Sequence, residues 1–180
     1  LKIVMTLLVR DNEDIIAANL DFHLSRGVDH FLVMDNRSAD ATARILMGYR
    51  DRGLVTYVFQ PRDDYSQGVW VTQMARRACV EMNADWVINN DADEFWWPES
   101  GDLKDVLDAV PAAAEAIVVE RVNFVPRSER DVQANGEIRG PIPPFAEAMT
   151  VRERRSFNSL GQPLPPKLCH RGLADVVVEM

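Results

Sequence analysis

Four short β-prone runs, each separated from the next by a helix-patterned stretch, constrain the fold of this chain more than any other feature. They are Ile3–Val9, His30–Met34, Leu54–Phe59 and Trp86–Asn90. The first, Ile-Val-Met-Thr-Leu-Leu-Val, is almost continuously apolar, the pattern of a strand buried on both faces and hence of a parallel sheet. Between the first two runs Ile16, Leu20 and Leu24 recur every four positions, with Asn12 or Asp14 placed to cap a helix and Gly27 to stop it. A second helix is predicted from about Asp40 to Arg52, ended by Gly53, and a third from about Ser66 to Met82. Strands and helices alternating in this way are βαβ units, which pack with right-handed crossovers into a mostly parallel sheet covered on both faces. The expected class is α/β.

Beyond the fourth run the pattern loosens. A short helix is predicted over Asp102–Val110, a long strand over 116–125, and two short strands over 147–152 and 167–170. The stretch 126–146 is polar and rich in Arg, Gly and Pro, including Gly140-Pro141-Ile142-Pro143-Pro144, and reads as a long loop of the kind that carries function. With 180 residues, 47% hydrophobic and 27% charged, the chain suits one globular domain. It opens and closes on apolar, strand-like runs, Leu1–Met5 and Val176–Val178, so a fragment of a longer protein truncated at its C-terminus is expected.

A net charge of −8 argues against nucleic acid and anionic membrane surfaces as partners, since both call for basic patches. Two cysteines, Cys79 and Cys169, imply no disulfide framework, and they read as small buried side chains. No run approaches the roughly eighteen apolar residues of a membrane span, and no signal peptide is recognisable. A cytoplasmic location follows as the default expectation.

Ligands of open α/β sheets bind beyond the carboxyl ends of the strands. Four polar clusters fall there: Arg10–Asn12, Asp35–Ser38, Pro61–Ser66 and Asp91–Glu94. The last belongs to Asp91-Ala92-Asp93-Glu94-Phe95, directly after Trp86-Val87-Ile88. Mg²⁺ and Mn²⁺ prefer oxygen ligands, and Mg²⁺ is usually held by one or two carboxylates while phosphates and water complete its shell. If the chain stays extended through 91–93, the two carboxylates point to one side. The simpler alternative is that two acidic residues end a strand and start a loop.

Three blocks together resemble the GT-A-fold glycosyltransferases, in particular the family-two-like group with an Asp-x-Asp-Glu-Phe signature. They are Arg10-Asp11-Asn12-Glu13 followed by His23-Leu24; Gly27-Val28-Asp29-His30-Phe31 leading to Asp35-Asn36-Arg37-Ser38-Ala39-Asp40; and Trp86 to Phe95. Gln73 and Cys79 also sit where that group commonly has them. The resemblance covers most of residues 3–97. It implies a GT-A (Rossmann-like) three-layer α/β/α domain, with a nucleotide-binding half over 1–97 and an acceptor-side half over 98–180. It implies an inverting, metal-dependent transfer of a sugar from a nucleoside diphosphate donor, with Mn²⁺ or Mg²⁺ as cofactor. The acceptor, whether glycan, lipid-linked or protein, is not specified.

Residue by residue, the resemblance gives Asp93 as the direct metal ligand and places Asp91 between metal and ribose. Glu94 touches the donor sugar or orients the motif, or pairs with a nearby Arg. Phe95, Trp96 and Trp97 form a wall of a sugar site or pack in the core. Asp35 accepts a hydrogen bond from the base, which favours uracil with its imide N–H; its alternative, with Asn36, is a turn, while Ser38 or Asp40 caps the next helix. Arg10 faces the nucleotide or its phosphates. Gln73 joins the nucleotide-sugar contacts, Lys167 the diphosphate, and His170 is a candidate metal ligand. No Glu-Asp pair follows residue 97, so the base is sought at Glu147 or Glu120. Two other classes compete: a different metal-dependent phosphate enzyme, either nucleotidyltransferase or phosphatase, and a non-catalytic nucleotide-sugar-binding module. Phosphatases of the haloacid dehalogenase type carry their Asp-x-Asp after the first strand, and nucleotidyltransferases open with a Gly-rich loop that residues 9–14 lack.

Overall fold

Seven residues with scarcely a polar group among them make β1 (Ile3–Val9), and it occupies the middle of the sheet, where both faces are dry. A computed structural model shows it flanked by two parallel neighbours. It describes residues 1–64, 66–126, 149–153, 156–158 and 160–178. Most of the 126–146 loop and the candidate base Glu147 lie outside the described residues.

The chain runs β1, α1 (Ile16–Ser25), β2 (His30–Asp35), α2 (Thr42–Asp51), β3 (Val55–Phe59), α3 (Gln67–Val80), β4 (Trp86–Asn90), α4 (Leu103–Asp108) and β5 (Ala116–Val119). It continues with β6 (Phe124–Pro126), β7 (Met149–Arg152) and β8 (Lys167–Arg171). Six strands form one sheet in the order β3-β2-β1-β4-β8-β5. β3, β2, β1 and β4 are mutually parallel, and β8 is antiparallel to β4. The sheet is mixed and mostly parallel, as expected of the α/β class. Two compact units are distinguished: Leu1–Ile117 with Leu168–Met180, and Val118–Lys167, which contains the two-stranded β6-β7 sheet.

Topology sets the layers. From β1 the chain steps outward to β2 and β3, then crosses back over β1 to β4, so right-handed crossovers place α3 on the face opposite α1 and α2. On the α3 side Val4, Leu32, Met34 and Val87 pack against Trp70, Val71, Met74 and Ala78. The alternate residues Ile3, Met5, Leu7, Phe31 and Ile88 are buried as well, as a sheet covered on both faces requires. The reversal also makes the gap between the ends of β1 and β4 the topological switch point, where ligands of such sheets bind.

Local signals hold with instructive exceptions. Gly27 and Gly53 end their helices at φ +96° and +76°, conformations that favour glycine. Asp102 caps α4 through a reciprocal pair of hydrogen bonds with Asp105. At α1, however, neither Asn12 nor Asp14 acts as a side-chain cap. The Asn12 side chain instead accepts the Arg10 N–H at 3.1 Å, and its backbone carbonyl accepts from Ile15 and Ile16. The strand expected over 116–125 is split into β5 and β6, which join different sheets. Val176–Val178 is no strand: it lies along α3, with Val178 N–H on the Thr72 hydroxyl at 2.9 Å and the Arg76 guanidinium on the Val176 carbonyl at 2.8 Å. Gly172 passes so close to the Ala84 carbonyl that a Cβ would collide with it. Cys169 is buried, and its thiol is pushed up to about 12 by desolvation, whereas Cys79 is half-buried. Among the described residues no helix is long and apolar enough to cross a membrane.

Candidate functional site

The acidic motif leaves the sheet at the end of β4 and turns at once. Glu94 N–H donates to the Asp91 carbonyl at 3.1 Å, closing a tight turn over 91–94. The extended course that would have aligned Asp91 and Asp93 is therefore not adopted. The cause lies in α1, whose buried face carries Ile16, Asn19, Leu20 and His23 at helical spacing. Asn19 donates its side-chain amide to the Ala92 carbonyl at 2.9 Å and the Glu94 carbonyl at 2.8 Å. Asn90 adds a bond to the same Glu94 carbonyl at 3.0 Å and accepts the Trp96 indole N–H at 2.9 Å.

His23 completes the clamp one helical turn further on. Its Nε2 accepts the Trp96 backbone N–H at 3.1 Å, so the proton sits on Nδ1, which donates to the Asn19 carbonyl at 2.8 Å. Burial pushes its pKa down to about 4, against the smaller opposing effect of the Asn19 bond, and the ring is neutral at physiological pH. Held this way, the turn keeps Ala92 buried and Asp91 half-buried while Asp93 is exposed. Phe95 and Trp97 are also exposed and pack edge-on and stacked against Phe22, while Trp96 is buried. The aromatic trio thus divides between core and surface.

The ends of β1 and β2 form the other side of the switch point. Val9 and Asp35 are register partners, as are Leu7 and Asn90, so Arg10, Asp35 and Asp91 stand on neighbouring strand ends. The two loops after β1 and β2 interlock. Asp11 N–H donates to the Ser38 hydroxyl at 3.0 Å, and Ala39 N–H to the Asp11 carboxylate at 2.6 Å. Asn12 N–H donates to the Thr42 hydroxyl at 2.8 Å, Glu13 N–H to Asp40 at 2.9 Å, and Ala41 N–H to Glu13 at 2.7 Å. Asp40 also accepts Thr42 N–H at 2.9 Å just before α2, but the N-cap position is Ala41 and no side chain caps the helix, so the cap expected of Asp40 is not made.

Asp35 is only 1% exposed, and each of its oxygens has a partner. Ser38 N–H donates to one at 2.9 Å and the Tyr57 hydroxyl to the other at 2.7 Å. Desolvation, reinforced by the Asp35 bond, pushes the Tyr57 phenol up to about 12, so it stays a donor. Arg10 is exposed and pairs with Asp63 at 2.7 Å; the same carboxylate takes Arg37 at 3.0 Å.

Two further candidates belong to the same unit as these strand ends. Gln73 is exposed in the middle of α3, on the side away from its buried face. His170 pairs in register with Val87, four residues before Asp91 on β4, and both of its ring nitrogens are engaged, by the Asn89 amide at 3.2 Å and the Arg171 carbonyl at 2.7 Å. Glu120 is exposed and belongs with Lys167 to the second unit. Among the described residues no group of three or more His, Cys, Asp or Glu stands together to hold a metal. Asn19, Asn90, Tyr57 and Asp63 match no sequence motif that assigns them a role. The signal for Asn19 was its position on the apolar face of α1, where a polar side chain needs a partner.

The sequence profile of glycosyltransferase family 92 matches residues 5–153, from within β1 through the acidic turn to β7. The chain belongs to that family. Among solved structures, the S. aureus TarS fragment 1-349 is similar to this family 92 chain with a TM-score of 0.55 at 16% identity, over 96% of this chain and 47% of that one. At this identity the likeness is one of fold. Two further TarS structures show weaker similarity. The first scores 0.49 at 18% identity over 60% of this chain and 19% of that one. The other, in complex with UDP-GlcNAc, scores 0.47 at 17% identity over 61% and 30%. The chain spans about half or less of the length of these proteins. No curated protein matches it.

Proposed function

We propose that this family 92 chain is the donor-binding part of a metal-dependent, inverting glycosyltransferase of family-two-like character. In this reading it moves a sugar from a nucleoside diphosphate donor, with UDP-sugar favoured, to a hydroxyl of a glycan, lipid-linked or protein acceptor. Cytoplasmic synthesis of a polysaccharide is the setting that fits. The observation that carries the reading is the clamped turn at the switch point, which presents Asp93 to solvent after the strand that neighbours β1, in a chain of this family.

The donor set fits a hard cation. Two carboxylates of one short turn, Asp91 and Asp93, leave most of a coordination shell to phosphate oxygens and water, which is how Mg²⁺ is commonly held, and Mn²⁺ suits the same oxygens. When bound, such an ion stabilises the charge that develops on the diphosphate as the sugar departs. The chain's own contribution is to fix the turn through Asn19, Asn90 and His23, so that its backbone needs little reorganisation on binding. Base recognition by Asp35 calls for a third bond to a carboxylate that already accepts two, within the roughly four acceptor sites it has. For the base that deprotonates the acceptor, Glu147 and Glu120 remain the candidates, both later in the sequence than residue 97.

Calorimetry with UDP, with and without Mn²⁺, tests the reading. Binding that tightens with Mn²⁺ is expected. Absence of binding by any nucleoside diphosphate in either condition would remove its support.

A further inference from the structure

Three consecutive edge loops, after β1, β2 and β3, bring together Arg10, Arg37 and Asp63 at the nucleotide side of the sheet. One carboxylate serves both guanidiniums, its Oδ1 at 2.7 Å from Arg10 Nη1 and its Oδ2 at 3.0 Å from Arg37 Nη1. All three side chains are about half exposed, between 47% and 52%. The arrangement is built with some strain. Arg37 holds φ at +64°, a left-handed conformation that a long side chain adopts at a cost, and the neighbouring loop has Asp11 at +52°. On the Asp63 side, Asn36 anchors the loop through the Gln60 carbonyl at 3.2 Å and the Arg62 carbonyl at 2.5 Å.

Two features make this more than a surface ion pair. A pair of guanidiniums converging on one small anion offers the forked donors that match phosphate oxygens. An exposed carboxylate bridge, in turn, is weakly held in water and is open to exchange with a more highly charged anion. Arg10 occupies the end of β1, and the acidic turn occupies the end of its neighbour β4, across the switch point.

We propose that Arg10 and Arg37 form the anion-recognition pair for the donor's diphosphate, and that Asp63 is an internal anion holding that pair in place until the diphosphate displaces it. The proposal rests on the nucleotide-sugar reading and names the residues that set its affinity and anion selectivity. Asp63 thereby acts as a brake on donor binding: it keeps the guanidiniums oriented but competes for them.

The test is calorimetry with UDP and with uridine, each in the presence of Mn²⁺, on the wild type, Asp63→Asn and Arg37→Ala. Loss of Arg37 should weaken UDP binding by about tenfold, the value of one charge-assisted hydrogen bond, and leave uridine unaffected. Asp63→Asn, which removes the competing charge and keeps the shape, should tighten UDP binding several-fold, again without effect on uridine. Circular dichroism of each variant should match the wild type, since the groups are on the surface. If the wild type binds UDP but Arg37→Ala binds it equally well, or Asp63→Asn binds it no better, the proposal is overturned while the donor reading stands. If the wild type binds no UDP, both fall.

Discussion

Asp35 and Asp93 are the same residue type at the same edge of the same sheet, yet the structure treats them in opposite ways. Asp35, at the end of β2, is buried with an N–H on one oxygen and a phenol on the other. Asp93, in the turn after β4, is exposed, and the surrounding polar groups bond to the backbone of its turn. A buried carboxylate has to be satisfied by the protein itself, so Asp35 ties β3 and the loop before α2 to β2. An exposed one can remain available for a ligand, provided its backbone is held. The contrast separates an acid that builds the site from an acid that the site displays.

The largest effect should come from breaking the displayed acid. Asp93→Ala is expected to abolish the Mn²⁺-dependent part of UDP affinity while changing folding stability by no more than about 0.5 kcal/mol, as for an ordinary surface substitution. Calorimetry with and without Mn²⁺, paired with urea unfolding, reads both quantities. Unchanged Mn²⁺-dependent binding would refute the metal role and make the two aspartates alike.

The hold on the turn can be tested through pH, because His23 titrates differently in the folded and unfolded chain. Its native pKa is pushed down to about 4, below the usual value near 6.5. Between those values the unfolded chain binds a proton that the native state refuses, so stability falls as pH drops from about 6.5 toward 4. The loss amounts to at most roughly 3 kcal/mol and is absent above pH 7. His23→Gln keeps an acceptor for the Trp96 N–H and has no proton to gain in this range. Urea unfolding from pH 7.5 to 4.5 should therefore show the wild type losing stability relative to His23→Gln. A constant difference across the range would mean that His23 is not the buried neutral acceptor that holds the turn.

The two aspartates also show what can be read from sequence. The four parallel strands and three long helices follow from apolar periodicity and glycine stops, because those signals are local and the chain obeys them. That both acids reach one edge follows from the same alternation. Which of them would be buried depends on Tyr57, 22 residues away, and on Asn19, 72 residues before Asp91. A polar residue on an apolar face signals that a partner is needed, but nothing local names a partner so distant in sequence. The split of 116–125 into β5 and β6 was hidden for the same reason: a continuous β-prone run does not record that its two ends join different sheets.

The smallest expected effect falls on the building acid. Tyr57→Phe removes one of the two donors to Asp35 and leaves the ring in place, which should cost about 1–2 kcal/mol of stability, the value of a partly buried hydrogen bond to a charged group. If Asp35 also meets the base, Asp35→Ala should weaken UDP binding while its Mn²⁺ dependence is retained, because the acidic turn proposed to hold the metal is untouched. Tyr57→Phe should change UDP binding less, since it keeps the carboxylate and Ser38 still orients it. The informative quantity is the ratio of affinities with and without Mn²⁺, measured for both variants. A ratio equal to the wild type's would keep Asp35 at the nucleoside end, apart from Asp93. Loss of Mn²⁺ dependence in Asp35→Ala would show instead that β2 and β4 act on the same part of the ligand, and the division of labour between the two aspartates would have to be redrawn.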